Sequence, residues 1–429
     1  MTCQFIPSYI FDRLAEASDE HLAECGRRNP SIDEQMRARR LTAPAAAAAT
    51  GEVWEIHDAE NGSTLPGRLV RTAGEPEVSD STVNEAATGI TESLAFFADL
   101  GRSSFDGQGA TVVATVHFEQ DYANAFWDGT QLVFGDGDGQ IFERFTKPID
   151  VLGHELSHAV TQFTANLIYE GQSGALNESM SDVFGACIKQ RHLGQDAASA
   201  DWLVGEGIFL PGVNGRALRS MVEPGTAYDD PVIGTDPQVG SLADYVVTTE
   251  DNGGVHLNSG IPNRAFVIAA RAIGGDTWSG AGRVWYATLV SGLDPDSDFA
   301  TFAAASIAAA GAHAAVVEDA WMQVGVVGGQ APFDAAATRS SGVGTVEVVR
   351  SGGFTGMTKQ GAVDLESRDP RVPEVRDLVQ RIDFGSAVRG EAGPDRFVYR
   401  FRYGAAECQV HEPALTPDLQ QLARIVLEE

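Results

Sequence analysis

The chain has 429 residues, enough for two or three domains. Its 60 acidic residues against 30 basic give a formal net charge of −30, a sign that argues against nucleic-acid binding. No apolar run approaches the roughly 18 residues of a membrane-spanning helix, so no membrane span is expected. The net negative charge is concentrated in residues 51–343, which hold 13 basic against 39 acidic side chains. An acidic surface with so few lysines (Lys147, Lys189, Lys359) fits a high-salt cytoplasm or an ordinary solvated surface equally well. The four cysteines, at 3, 25, 187 and 408, form no C-x-x-C pair and read as free thiols of a reducing compartment. A Cys3–Cys25 bridge has no support in the sequence.

Met1–Ile10 lacks a basic stretch followed by an apolar one, so no secretory signal is expected. The chain is therefore expected in the cytoplasm, or exported by a non-classical route. An amphipathic helix is predicted over Asp12–Cys25, with Leu14, Ala15, Leu22 and Ala23 on its apolar face, and a second over Ser31–Leu41. Thr42–Gly51 is small, alanine-rich and low in complexity, as a protease-accessible linker would be. Residues 1–50 thus read as a removable piece.

Residues 51–165 form a β-rich lobe in this reading. Strands are predicted at Gly67–Arg71, Ala110–Phe118 and Gln131–Phe134, with a long helix over Thr82–Leu100. The run Val151–Val160 contains His154, Glu155 and His158 as an H-E-x-x-H motif. On a helix the two histidines lie one turn apart on one face. Two imidazoles at that spacing can hold a zinc ion, and the glutamate between them can act as general base.

Zinc needs a third protein ligand and an open position for water. Gly174–Asp182 offers Glu178 and Asp182, again one turn apart. Glu178 can complete a His/His/Glu site, and Asp182 can fix the tautomer of His154 through the other ring nitrogen. A third histidine ligand is not available downstream, because Thr161 and Thr164 occupy the glycine and histidine positions of that alternative motif. Asp251–Gly260 then places His256 after a glycine-flanked turn, with a carboxylate five residues before it. Such a histidine can stabilise the oxyanion of peptide hydrolysis, with Asp251 orienting its ring. Residues 166–328 read as a helical lobe, with helices at Asn263–Ile273, Gly280–Ser291 and Phe299–Gly311, and substrate would lie in the cleft between the lobes.

Residues 329–343 read as a linker by composition. Beyond it, strands are predicted at Thr345–Arg350, Ala362–Leu365, Arg396–Arg402 and Glu407–His411, with helices at Arg371–Ile382 and Thr416–Leu427. This is a small α+β domain over 344–429.

Several segments, in order, resemble the thermolysin family of zinc metallopeptidases: Asn124–Gly129, Phe134–Gly139, Asp150–Thr161, Tyr169, Asn177–Glu178 with Ser181–Asp182, Ala217–Met221 and Asp251–Gly260. The resemblance implies a two-lobed α+β fold, β-rich then α-helical, with the H-E-x-x-H helix between the lobes. It implies one catalytic zinc on His154, His158 and Glu178, with Glu155 as general base and Tyr169 and His256 on the oxyanion. It implies that Asp182 and Asp251 orient His154 and His256. Asn124 and the Ala125 backbone would hold the substrate main chain, Arg219 a carbonyl beyond the cleaved bond, and Val151 and Leu218 a bulky apolar side chain there. Asp150, Asp201 and Glu206 match calcium-binding positions. Lys189 stands where the family has a further acid, and Leu203 replaces another, so one calcium at most is expected, with the lysine ammonium able to bridge the remaining acids.

Pro7-Ser-Tyr-Ile10 resembles the Pro-Pro-Tyr-(Ile/Leu) motif of the short propeptide in the protealysin subgroup, with Ser8 for the second proline. The resemblance implies that residues 1–50 are an inhibitory propeptide. Arg350–Gly356, Asp395–Tyr399 and the terminal Leu419–Ala423 stretch resemble emfourin, a small protein inhibitor. The chain is thus read as a latent zinc endopeptidase, acting on protein or peptide substrates, with its propeptide and C-terminal domain as intramolecular inhibitors. Two alternatives stay open: a catalytically silent binding protein on a peptidase fold, and a C-terminal domain used for substrate targeting.

Overall fold

The computed structural model describes residues 3–40, 53–328, 345–352, 359–365, 371–382, 397–403, 406–411 and 415–427. The expected cut region near residue 50, the linker 329–343 and the core of the Ser351–Met357 turn lie outside these residues. The chain divides into two compact units, residues 1–329 and 330–429.

The first unit opens with strand β1 (Cys3–Gln4) and helices α1 (Ser8–Ala15) and α2 (Glu20–Arg40). The single helix suggested by apolar spacing over Asp12–Cys25 is in fact two. Asp19 Oδ1 accepts from Leu22 N at 3.1 Å and starts a new helix. The two helices then cross so closely that a Cβ on Gly26 would lie 2.2 Å from Ala15 N. Helix α2 also continues through Pro30, joining the stretch that the sequence reading kept apart.

Strands β2 (Trp54–Asp58), β3 (Arg68–Thr72), β4 (Val112–Val116), β5 (Ala125–Trp127) and β6 (Leu132–Phe134) build the strand-rich lobe. The sheet order is β1-β5-β6-β4-β2-β3, with β4 parallel to β2 and β6 and the other pairs antiparallel. Strand β5 would present unpaired main-chain groups at the sheet edge; β1, from the N-terminal segment, covers them. Helix α3 (Ser81–Asp99) buries Val83, Ala86, Ala87, Ile90 and Phe97, a 3–4 spacing that matches its predicted amphipathic character.

Helix α4 (Ile149–Gln162) carries the H-E-x-x-H motif and is buried from Asp150 to Thr161. Helix α5 (Gly171–Leu193) packs against it. A Cβ on Gly153 would come within 2.9 Å of Ile188 Cδ1, and one on Gly185 within 2.7 Å of Asp150 O. Two glycines thus let the helices approach closely enough for polar side chains on one to reach the other. The rest of this lobe comprises β7 (Leu203–Val204), β8 (Arg219–Ser220), β9 (Asp229–Asp230), β10 (Gly234–Thr235), α6 (Asp251–Asn258), α7 (Gly260–Ile273), α8 (Ala281–Leu289), α9 (Phe299–Ala309) and α10 (Ala314–Gln323). Helix α10 was not legible in the sequence. No helix among the described residues is long and apolar enough to cross a membrane.

The second unit contains β11 (Thr345–Gly352), β12 (Lys359–Asp364), α11 (Val372–Arg381), β13 (Phe397–Tyr403), β14 (Ala406–His411) and α12 (Pro417–Val426). Its antiparallel sheet runs β12-β11-β13-β14. Val346, Val348, Val363, Phe401 and Val410 bury one face of it with Val375, Leu378, Leu419 and Leu422 of the helices. Thr416 caps α12 through its hydroxyl, which accepts from Leu419 N.

His117, with φ 53°, links β4 to the start of α3. Its Nδ1 lies 2.7 Å from Asp136 and its Nε2 2.9 Å from Asp80, the carboxylate that caps α3. The Asp136 hydrogen bond outweighs burial and, with Asp80, lifts the imidazole pKa to about 9. A raised folded-state value stabilises fully below the unfolded value near 6.5, and the contribution is lost as pH climbs through about 9. His117→Gln should therefore lower the melting temperature clearly at pH 6, with the difference from wild type shrinking above pH 9 in parallel thermal melts.

A candidate metal centre spanned by the N-terminal segment

The tight crossing of α4 and α5 sets His154 and His158 against Glu178, all buried. One ligand atom from each lies within 4.8 Å of the others. His154 Nε2 is 3.4 Å and His158 Nε2 3.5 Å from the Glu178 carboxylate, and the two Nε2 atoms are 2.9 Å apart.

The outer ring nitrogens explain why these atoms face inward. His154 Nδ1 lies 2.9 Å from Asp182 Oδ1, and His158 Nδ1 lies 2.9 Å from Asn177 Oδ1 and 3.0 Å from Ser181 Oγ. An acceptor at each Nδ1 keeps the proton there and leaves both Nε2 lone pairs directed at one point. Two lone pairs facing each other at 2.9 Å need a cation between them, or a proton on one ring. The protein's own charges show the same demand. Burial opposes charge on His154, but Asp182 and Glu178 outweigh it and raise its pKa to about 9. Burial and the neighbouring cation drop His158 to about 3. Burial would also neutralise Glu178, yet His256 and the two histidines hold it well below the usual carboxylate range, and its Oε2 has no hydrogen-bond partner. The donor set, two imidazoles and a carboxylate, therefore fits a zinc ion.

Glu155, on the same helix, is fully buried beside the Trp127 backbone, and burial pushes its pKa up to about 8. Tyr169 donates to Glu178 and lies 3.4 Å from His256 Nε2. The turn before His256 takes left-handed backbone at Asp251, Asn252, Gly253 and Gly254, with φ from 50° to 82°. It folds the Asp251 carboxylate back, 2.6 Å from His256 Nδ1 and 2.8 Å from its backbone N. Burial disfavours charge on His256, but Asp251 and Glu178 raise its pKa to about 9, so it is cationic at neutral pH.

Arg219 grips Asp182 with Nε and Nη2, both at 2.8 Å, and donates from Nη1 to Phe5 O at 3.2 Å. Asn124 Oδ1 accepts from Ile6 N at 2.9 Å, and Ala125 O accepts from Phe5 N at 3.1 Å. Val151 and Leu218 are buried in the same apolar cluster as Phe5. Asn124, Ala125, Arg219 and His256 thus all meet one stretch of the chain's own N-terminus, Gln4–Ile6, whereas Asp150, Asp201 and Glu206 lie apart from it around Lys189 and Gly205. Asn177, Ser181 and Asn263, whose Nδ2 donates to Asp182 at 2.8 Å, were given no role by sequence reasoning. The i−1 and i+3 placement of Asn177 and Ser181 around Glu178 was the available signal.

The chain's segments match two family models, the thermolysin metallopeptidase catalytic domain over residues 46–162 and its alpha-helical domain over 165–326. An extracellular metalloprotease of Pectobacterium carotovorum subsp. carotovorum is 46% identical over 334 residues, 76% of this chain and 96% of the relative. The chain belongs to the thermolysin family of metallopeptidases. Protease PrtS of Photorhabdus sp. (strain Az29) is 46% identical over 63% of this chain and 76% of its own length. Among solved structures, the precursor of protealysin, a metalloproteinase from Serratia proteamaculans, is 47% identical with a TM-score of 0.70, over 76% of this chain and all of that one. Residues 348–427 match the emfourin family.

The expected calcium region holds a lysine at its centre. Lys189 Nζ donates to Asp201 and Glu206, each at 3.0 Å, and to Leu203 O at 3.2 Å. Asp150 instead accepts from Gly205 N at 3.0 Å. Burial raises Asp150 to about 6 despite the lysine, and Lys189, though disfavoured by burial, is raised by Asp150 and Asp201.

Two outcomes follow. Asp182→Asn should weaken zinc binding by roughly 10–100-fold, read by chelator competition, because it loosens the ring of His154. Lys189→Glu should make thermal stability rise with added calcium, while wild-type melts stay unchanged by calcium.

Proposed function

We propose that the chain is a zinc endopeptidase made as a latent precursor, with residues 1 to about 50 as its propeptide. The observation that carries this reading is the main-chain pairing of β1 and Phe5 with Asn124, Ala125 and Arg219 beside the His154–His158–Glu178 triad. An extended peptide added to a sheet edge is a substrate-like mode of binding.

Zinc held by His154, His158 and Glu178 would supply a Lewis acid that polarises water and the peptide carbonyl. Glu155, buried on the same helix as the two histidines, takes the proton of the attacking water and delivers it to the leaving nitrogen; the positive charge of a metal ion on the neighbouring triad would favour the ionised carboxylate that this needs. Tyr169 and the cationic His256 donate to the carbonyl oxygen as charge develops on it. Asp251 keeps His256 aimed, and Asp182 keeps both His154 and Arg219 in place. A bulky apolar residue after the cleaved bond fits the burial of Phe5, whose ring lies under the Arg219 guanidinium at 4.7 Å.

Latency rests on how deeply the N-terminal segment is rooted. Phe5, Ile6, Ile10, Phe11 and Leu14 are each 0% exposed. Asn29 and Asp33 of α2 add polar anchors, Asn29 Oδ1 accepting from Ala123 N at 2.8 Å and Asp33 accepting from Tyr122 OH. The emfourin match supports a second, inhibitory role for residues 344–429. The acids gathered by Lys189 support a site that needs no calcium.

Glu155→Gln should keep zinc but lose peptide hydrolysis by at least ~100-fold, after both proteins are treated with trypsin to open the Arg37–Arg40 region. Zinc by atomic absorption and hydrolysis of a quenched-fluorescent peptide with Leu or Phe after the scissile bond read the two properties separately. A variant as active as wild type would remove Glu155 from the mechanism.

A further inference from the structure

The geometry points to the Gln4–Phe5 peptide bond as a self-cleavage site: the N-terminal segment lies across the metal site as a substrate in cleavable register, and its first cut occurs there. The inference rests on the zinc peptidase reading above and adds which bond, in which order, and with what consequence.

Four main-chain contacts fix the register. Phe5 N donates to Ala125 O, and Ile6 N to Asn124 Oδ1. Arg219 Nη1 donates to Phe5 O, and His256 Nε2 donates to Gln4 O at 2.8 Å. Gln4 O is therefore the carbonyl brought to His256, the group placed to stabilise charge developing on it. Shifting the segment by one residue would turn Phe5 out of its pocket and break the strand pairing Cys3–Trp127 and Gln4–Phe126.

The side chain on the far side of that bond is locked. The Phe5 ring meets the His154 imidazole edge-on at 5.2 Å and lies against Arg219. The pocket ends at Gly205, where an added Cβ would sit 3.1 Å from Phe5 Cζ. A metal ligand, an arginine and a bare glycine thus define one position, immediately beside the Gln4 carbonyl.

Hydrolysis there is balanced by the residues present. The oxygen of one water adds to the Gln4 carbonyl carbon as that carbonyl oxygen takes negative charge from its π bond. The C–N bond to Phe5 then breaks. Glu155 carries one proton from the water to the departing nitrogen, and the second, lost as the new acid ionises, protonates that amine, giving a Gln4 carboxylate and a new α-ammonium group on Phe5. Only Met1–Gln4 leaves. Ile6, Ile10, Phe11 and Leu14 stay rooted in the core, so the remaining segment persists as a bound product and the enzyme stays latent. The cut is then a clipping step distinct from removal of the whole segment, and it is intramolecular.

The full chain loaded with zinc would be followed by intact mass and N-terminal sequencing at widely different protein concentrations. The expected result is loss of Met-Thr-Cys-Gln with Phe5 as the new terminus, at a rate independent of concentration, and without a parallel rise in hydrolysis of an added peptide. Phe5→Leu should retain the cut. Phe5→Asp should slow it about 100-fold, because the pocket would have to bury a carboxylate. A readout independent of turnover comes from cobalt(II) in the Glu155→Gln background: Phe5→Asp should change the visible absorption band, and Phe5→Leu should not. An identical band for all three proteins would place the Gln4 carbonyl away from the metal and overturn the inference. So would an uncut Gln4–Phe5 bond in a chain that, after trypsin opening, hydrolyses peptides; that result leaves the peptidase reading standing. A trypsin-opened, zinc-loaded chain that hydrolyses nothing would overturn both.

Discussion

Asp182 is the group on which the rest of the site depends. It is fully buried, and its two oxygens take His154, Arg219 and Asn263 at once. Burial alone would neutralise it, but Arg219 and His154 hold its pKa down at about 2. The same carboxylate therefore aims an imidazole of the candidate metal centre and the guanidinium that holds Phe5 O, so that centre and the peptide main chain are set relative to each other by one side chain. Leaving a buried ionic partner unpaired costs about 3–5 kcal/mol, which makes the arrangement a condition of the fold as well as of the chemistry. The glycines at 153 and 185 make it reachable, since any side chain there would push α4 off α5.

Much of this was legible because the chemistry is local in sequence. His154, Glu155 and His158 fall within one helical turn, and so do Glu178 and Asp182. The turn before His256 announces itself through two glycines in a row. Regular amphipathic spacing likewise gave α3, and the alternating apolar residues of the C-terminal domain gave its strands. The positions that sequence reasoning left blank are those defined only across the fold. Asn177 and Ser181 acquire meaning through His158, and Asn263 through Asp182, none of which is adjacent to them in the chain. The helix break at Glu16–Asp19 was hidden for a similar reason: the apolar positions continue in helical phase, and only the side-chain cap and the close crossing at Gly26 divide them.

The N-terminal segment solves two problems with one element. A sheet that ends at β5 exposes the main-chain groups of Ala125–Trp127, and an open cleft exposes the apolar pocket that Phe5 fills. Strand β1 and Phe5 cover both. Burying the phenyl ring is worth about 1.5–3 kcal/mol, and several neighbouring side chains add comparable amounts, so release of the segment is a large step. The lysine at 189 shows the same economy elsewhere: a tethered cation gathers acids that would otherwise repel one another.

The most direct test of the whole account is zinc-edge X-ray absorption on the full-length chain. Ligation by His154, His158 and Glu178, with the Gln4 carbonyl lying across the site, predicts a shell of nitrogen and oxygen only, with the multiple scattering of two imidazoles. A sulfur scatterer at about 2.3 Å would contradict it, since it would put Cys3 rather than Gln4 at the metal and displace the register on which the substrate-like reading depends.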